Sequence, residues 1–216
     1  MSEKAEIDLS DNLLIENESN IKTRQSPWVF TRWGFGLTIL FTSLIAMWAT
    51  LTIVIERSIL ENDSSYTTSC DINPWLSCGQ IMQSWQAMTF GFPNTYIGIV
   101  GFSVLITVAM SILAGADFKK WYWITMNIGQ AAAFAFCIWL WYSAVYSIGT
   151  LCLYCMVVWL MVTIQIAVIT ARNVYEYTKG TSSSYASTLI LPFIVLIVVI
   201  VAASVIAQFG TGILGF

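Results

Sequence analysis

The sequence contains no histidine, and only 10% of its residues are charged. Without histidine there is no Cys-x-x-Cys-His haem attachment site, and Met156 follows the second cysteine of the chain's Cys-x-x-Cys pair instead. No imidazole is available to activate a thiol. The scarcity of charge, set against 57% hydrophobic residues and a mean hydropathy of +0.75, excludes a soluble globular domain. No dinucleotide fingerprint, flavin motif or haem ligand set occurs. What remains is an integral membrane protein. Its net charge of -3 is not a partner signal, because six of the twelve acidic residues (Glu3, Glu6, Asp8, Asp11, Glu16, Glu18) sit in the N-terminal tail. That tail reads as solvated and disordered. It has neither the basic start nor the short apolar core of a signal peptide, so the first apolar run is expected to stay in the membrane.

Five runs are long enough for a hydrocarbon core, which takes ~20 helical residues. Pro27 stands at a helix start, and Trp28 to Trp33 form an aromatic and basic collar. The spans are expected at about Gly34–Ile55, Thr95–Ala114, Trp121–Ser147, Leu151–Ala171 and Ser187–Phe209. Residues 1–27 form the tail, 28–172 a four-helix bundle with a polar loop over 56–92, 173–186 a linker, and 187–216 a fifth helix with a short end. Within the loop, Ile81, Trp85 and Met88 recur at i, i+4, i+7. They predict one apolar stripe on an interfacial half-helix. Gly91-Phe-Pro-Asn94 breaks the chain before the second span, and Gly149 permits a tight reversal before the fourth. The expected fold is therefore all-α.

Basic residues set the orientation. With the N-terminus cytoplasmic, Lys4, Lys22, Arg24, Arg32, Lys119, Lys120, Arg172 and Lys179 fall inside and only Arg57 outside. That places Cys70, Cys78, Cys152 and Cys155 at the extracytoplasmic face.

In that disulfide-permissive compartment, pairing within each set of two is expected. Cys70 and Cys78 alone read more readily as an inert loop staple. Cys152-Leu-Tyr-Cys155 at a helix start reads differently, because unpaired amides and the helix dipole favour a thiolate. Such a pair suits exchange more than stapling. A zinc site on all four thiols departs from common spacings. No alternating strand and helix pattern surrounds the motif, which excludes a soluble thioredoxin-like domain. Cys137, mid-span among apolar residues, reads as a buried thiol without redox duty. The near absence of ionisable residues from the spans leaves no ion path for a transporter.

A dithiol oxidised in a membrane needs a diffusible two-electron acceptor, and a quinone is the natural candidate. Trp159 lies one turn beyond Cys155. Asn94 reads either as a donor to a quinone carbonyl or as a helix cap after Pro93. Phe92, Trp85 and Trp141 read either as an aromatic wall or as an interfacial belt. The competing function is a structural or partner-organising membrane protein with an outer disulfide staple.

Taken together, Cys70-x7-Cys78, Ser84 six residues on, Phe-Pro-Asn94 at the next span and Cys152-x-x-Cys155 resemble the vitamin K epoxide reductase family. The likeness covers about residues 30 to 172. It implies a four-helix bundle around a quinone, menaquinone or ubiquinone, capped by the outer loop, with no metal and no flavin. By that likeness Cys70 exchanges with an external partner, Cys78 relays to Cys152, and Cys155 faces the quinone. Ser84 and Asn94 help hold the loop and the quinone head group. The bacterial members reoxidise a DsbA-like thioredoxin-fold protein and so drive disulfide formation in exported proteins, which places this chain in a bacterial plasma membrane. Two departures stand out: Trp159 occupies a position that is Tyr in the animal enzymes, and no thioredoxin-like domain follows the fifth span, so a separate partner is implied.

Overall fold

In a computed structural model of the chain, residues 31–63, 65–73, 75–177 and 182–213 are described, without the side chains of 182–188 and 211–213. The tail, Pro27 and the first half of the aromatic collar, residues 28–30, lie outside the described residues. Helix α1 is Arg32–Asn62, α2 is Cys78–Gln83, α3 is Thr95–Leu113, α4 is Lys120–Tyr142, α5 is Leu153–Tyr177 and α6 is Ser182–Ile213. A 3-10 turn, Trp85–Met88, follows α2, and a π-turn, Ser143–Ile148, extends α4. All but α2 are long and apolar enough to cross a membrane, and the fold is the all-α membrane architecture expected. Helices α1 and α5 form its centre, with α3 packed on α1 and with α4 and α6 packed on α5.

The centre is apolar where helices cross and polar at one mid-bundle layer. Phe35, Ile39, Ala46, Phe102, Leu105, Val162 and Ile169 are buried together. Among them Gln165 of α5 accepts from Gln130 Nε2 of α4 (3.0 Å) and donates to the hydroxyls of Thr42 and Ser43 of α1 (3.3 and 3.2 Å). With no water in the hydrocarbon region, such side chains find partners on other helices. Helix α6 is the most apolar of the spans, with a mean hydropathy of 3.3 over a stretch in which no residue is buried.

Two loop readings are corrected. The first span does not end at Ile55: α1 continues through the polar residues to Asn62. Glu56, Arg57 and Glu61 are sound helix formers, and Arg57 Nε donates to Glu61 at i+4 (2.8 Å). Nor does the Ile81, Trp85, Met88 stripe form. Ser84 adopts an extended conformation (φ -69°, ψ 152°), so α2 stops after six residues and Trp85 turns outward, 68% exposed. The expected linker also narrows, since 173–177 belong to α5 and 182–186 to α6. The reversals hold as expected, with Gly91 at φ 81° and Gly149 at φ 79°, left-handed values that favour glycine.

Candidate thiol relay site

The site lies where the loop after α1 meets the start of α5. Cys70 and Cys78 are joined by a disulfide, with 5.7 Å between their Cα atoms. Cys152 and Cys155 are free thiols, so of the two expected pairs one is closed and the other is a dithiol. Cys70, Cys78 and Cys152 are buried with Ile53 and Met82, whereas Cys155 is exposed. The fourth span starts at Leu153, two residues later than expected, which leaves Cys152 immediately before the helix.

Local structure forces the two pairs together. Leu76 and Leu151 pair as a parallel bridge: the Leu151 N–H donates to the Trp75 carbonyl (2.9 Å), and the Ser77 N–H donates to the Leu151 carbonyl (3.1 Å). This register brings Cys78 beside Cys152, with Sγ atoms 2.9 Å apart. Cys78 is already bonded to Cys70 and has no proton to give. The contact is therefore a thiol sulfur facing a disulfide sulfur, the ground-state arrangement for exchange. The three buried sulfurs all lie within 4.8 Å of one another. With two of them joined to each other, the set suits disulfide migration.

The surroundings of Cys152 make its thiol more acidic than usual. The Cys155 N–H donates to its sulfur (3.4 Å). The Cys155 thiol does most to hold Cys152 below the ordinary thiol range; burial opposes it, the amides of Cys155 and Tyr154 assist, and the negative charge of Glu56 opposes.

Three residues that sequence reasoning passed over hold the loop. The Asp71 carboxylate accepts from the Thr68 N–H (3.3 Å) and the Gly79 N–H (3.3 Å). Burial pushes Asp71 up, but the nearby Thr68 and Ser77 hydroxyls and the two amide hydrogen bonds leave it below the usual carboxylate range. Glu56 is buried at 6% exposure, and both its oxygens accept from the Ser69 N–H (3.2 and 3.0 Å). Tyr154, between the two free cysteines, shares a hydrogen bond with the Ser69 hydroxyl (2.8 Å). Polar character placed Glu56 in the loop, and nothing in the sequence singled out Asp71. Only the continuation of α1 turns Glu56 inward.

The other expected site residues divide. The Ser84 hydroxyl donates to the Ile81 carbonyl (2.7 Å) and closes α2. Asn94 sits at the start of α3 without capping it by its side chain. Its Nδ2 donates to the Gln86 carbonyl (2.6 Å), and its own N–H donates to Ala87 (2.9 Å), so it clamps the 3-10 turn to α3. Its Oδ1 and the Trp159 and Trp141 indole nitrogens are buried without a hydrogen-bond partner among the described residues. Trp85 meets Trp139 and Phe92 meets Phe90, which meets Phe136, forming one aromatic run along α4. Trp141 is not part of that run: it packs with Val145, Leu151, Phe209 and Trp75.

Five apolar spans and a disulfide in contact with a free thiol define a multi-pass membrane thiol–disulfide oxidoreductase. A sequence model of the vitamin K epoxide reductase family matches residues 37–170, a stretch that includes all four cysteines of the site. The chain belongs to that family. A search of the curated proteins finds no match.

Proposed function

We propose that the protein oxidises an extracytoplasmic thioredoxin-fold dithiol and passes two electrons through Cys70/Cys78 and then Cys152/Cys155 to a membrane quinone, so driving disulfide formation in exported proteins. The observation that carries this reading is the 2.9 Å contact between Cys78 and Cys152 Sγ, which couples a buried disulfide to a dithiol whose far member, Cys155, is exposed. Each step balances. A partner thiolate attacks Cys70 Sγ and Cys78 leaves as thiolate; the partner's second thiolate displaces Cys70. Cys78 then attacks Cys152 Sγ of a closed Cys152–Cys155 bond, and Cys155 leaves as thiolate. Cys70 attacks Cys78 and releases Cys152. The result is a closed first pair and a reduced second pair, the state described above.

The residues present fit a quinone. Its two carbonyl oxygens need donors, and its reduced form needs acceptors. Trp159 Nε1 and Asn94 Oδ1, both buried and unpartnered among the described residues, would supply one of each. A quinone accepts two electrons and two protons as Cys152 and Cys155 close. Ser84 shapes the turn that Asn94 clamps, and Trp85 and Phe92 line the aromatic run beside it. Orientation rests on charge: Arg32, Lys119, Lys120 and Arg172 stand at the bundle end opposite the cysteines, and Arg57 at the cysteine end.

The test is quinone reduction by purified protein with a reduced thioredoxin-fold partner, using benzoquinone and naphthoquinone acceptors. Cys155→Ala is expected to stop turnover while the Cys70–Cys78 disulfide persists. Full activity in that variant would leave the disulfide a loop staple. Impermeant thiol reagents should reach reduced Cys70 from outside the cell, and labelling only from the cytoplasm would reverse the orientation.

A further inference from the structure

Glu56 is a carboxylate placed where the fold gains nothing obvious from a charge. It lies on α1 one turn beyond Ile53, which packs directly against Cys70, Cys78 and Cys152, and it is buried at 6% exposure. Its neighbour in sequence, Arg57, does not neutralise it, because that guanidinium is turned to Glu61. Among the described residues its donor is one backbone amide, that of Ser69, which precedes Cys70. A carboxamide would accept that hydrogen bond equally well without the desolvation cost of a charge. An anchor alone therefore does not account for a carboxylate here.

We propose that Glu56 is a positioning residue with two roles: it anchors Cys70 through the Ser69 amide, and its negative charge holds back thiolate formation at Cys152 while the Cys70–Cys78 disulfide is closed. In the state described, a Cys152 thiolate would attack Cys78 Sγ across the 2.9 Å contact. The Cys78–Cys152 bond would form, the Cys70–Cys78 bond would break, Cys70 would leave as thiolate, and the electrons would return toward the partner. A negative charge close to Cys152 disfavours that thiolate and so slows this attack. The direction of the Glu56 effect on Cys152 agrees, opposing the larger lowering by Cys155. The other titratable groups around the sulfurs are Asp71 of the loop and Tyr154 and Cys155 of α5; Cys70 and Cys78, bonded to each other, do not titrate. Asp71 is tied to Thr68 and Gly79, and Tyr154 to Ser69.

This inference rests on the relay reading, but its test needs neither partner nor quinone, so the two can fail separately. The pH midpoint of Cys152 alkylation by iodoacetamide is measured in a Cys155→Ala background by peptide mass spectrometry, which separates Cys152 from Cys137. Access to the thiol scales the rate but not the midpoint. Glu56→Gln, which keeps an acceptor for Ser69 and removes the charge, is expected to lower the midpoint by roughly one pH unit, about tenfold more thiolate at a fixed pH below it. Glu56→Asp, which keeps the charge on a shorter stem, is expected to stay near the parent midpoint while labelling of Cys70 after mild reduction speeds up. A Glu56→Gln midpoint equal to the parent's would overturn the electrostatic role, as would a shift seen in Glu56→Asp and not in Glu56→Gln. If the Gln variant does not accumulate, an Asp variant whose midpoint falls by the full unit gives the same refutation.

Discussion

Replacing Gln165 with Leu removes the polar centre of the bundle without touching a cysteine. Gln165 is fully buried and makes three side-chain hydrogen bonds, one to Gln130 and one each to Thr42 and Ser43. Interhelical hydrogen bonds in membranes average about 0.6 kcal/mol, because the unfolded chain in lipid finds partners too. Three of them come to roughly 2 kcal/mol. The substitution also leaves the Gln130 amide, on a side chain only 7% exposed, without its Gln165 acceptor, which adds about 1 kcal/mol. Leucine has a similar volume and recovers part of this by packing, so the expected net loss is roughly 2 kcal/mol. The assay is reversible unfolding in mixed detergent, read by tryptophan fluorescence. The double variant Gln130→Leu/Gln165→Leu should be less destabilised than the sum of the two single variants, because they share one bond. Additive single losses, or a Gln165→Leu loss below about 0.5 kcal/mol, would show that the polar layer does not tie α1, α4 and α5 together.

Three further outcomes follow from the same geometry. Asn94→Ala removes the 2.6 Å bond to the Gln86 carbonyl, worth about 1 kcal/mol; amide exchange over residues 85–88 should rise about fivefold at that cost, and unchanged exchange would mean the clamp is not made. Asp71 sits below its ordinary value of 3.8, so its contribution to the loop is present above that pH and is lost only as pH falls through the lower folded value. The protection factor of the Gly79 amide, its exchange relative to the unstructured rate at each pH, should therefore hold steady down to about pH 4 and fall below it, and a fall already near pH 5 would contradict the assignment. Cys137→Ala should retain thiol oxidation, since Cys137 is half-buried against the apolar core; loss of turnover with the fold intact would give that thiol a place in the relay.

Five spans, the cysteine pairs and the reversal glycines were legible in the sequence because each depends on local composition. A run of apolar residues crosses a membrane whatever its neighbours do, and Gly91 and Gly149 supply backbone angles other residues resist. Polarity misled at the end of α1, where Glu56 to Asn62 looked like loop, yet carried good helix formers with an internal ion pair. Periodicity misled at Ser84, because a stripe of apolar residues does not report a break in backbone direction. Trp141 was grouped with Trp85 and Phe92 by residue type, whereas position on α4 sends it to the Trp75 and Phe209 side.

By itself, then, the sequence determined that the chain lives in a membrane, which end of the bundle carries its thiols, and that two Cys pairs stand ready for disulfide chemistry. Tertiary structure decided which sulfurs meet. The Leu76–Leu151 bridge joins segments 75 residues apart in the chain, and no local pattern encodes such a register. It sets Cys78 against Cys152 at the place where three sulfurs are buried and Cys155 is left open, while the continuation of α1 brings Glu56 to the loop that carries Cys70. Burial and contact between distant segments are properties of packing, and they convert two cysteine pairs into one relay.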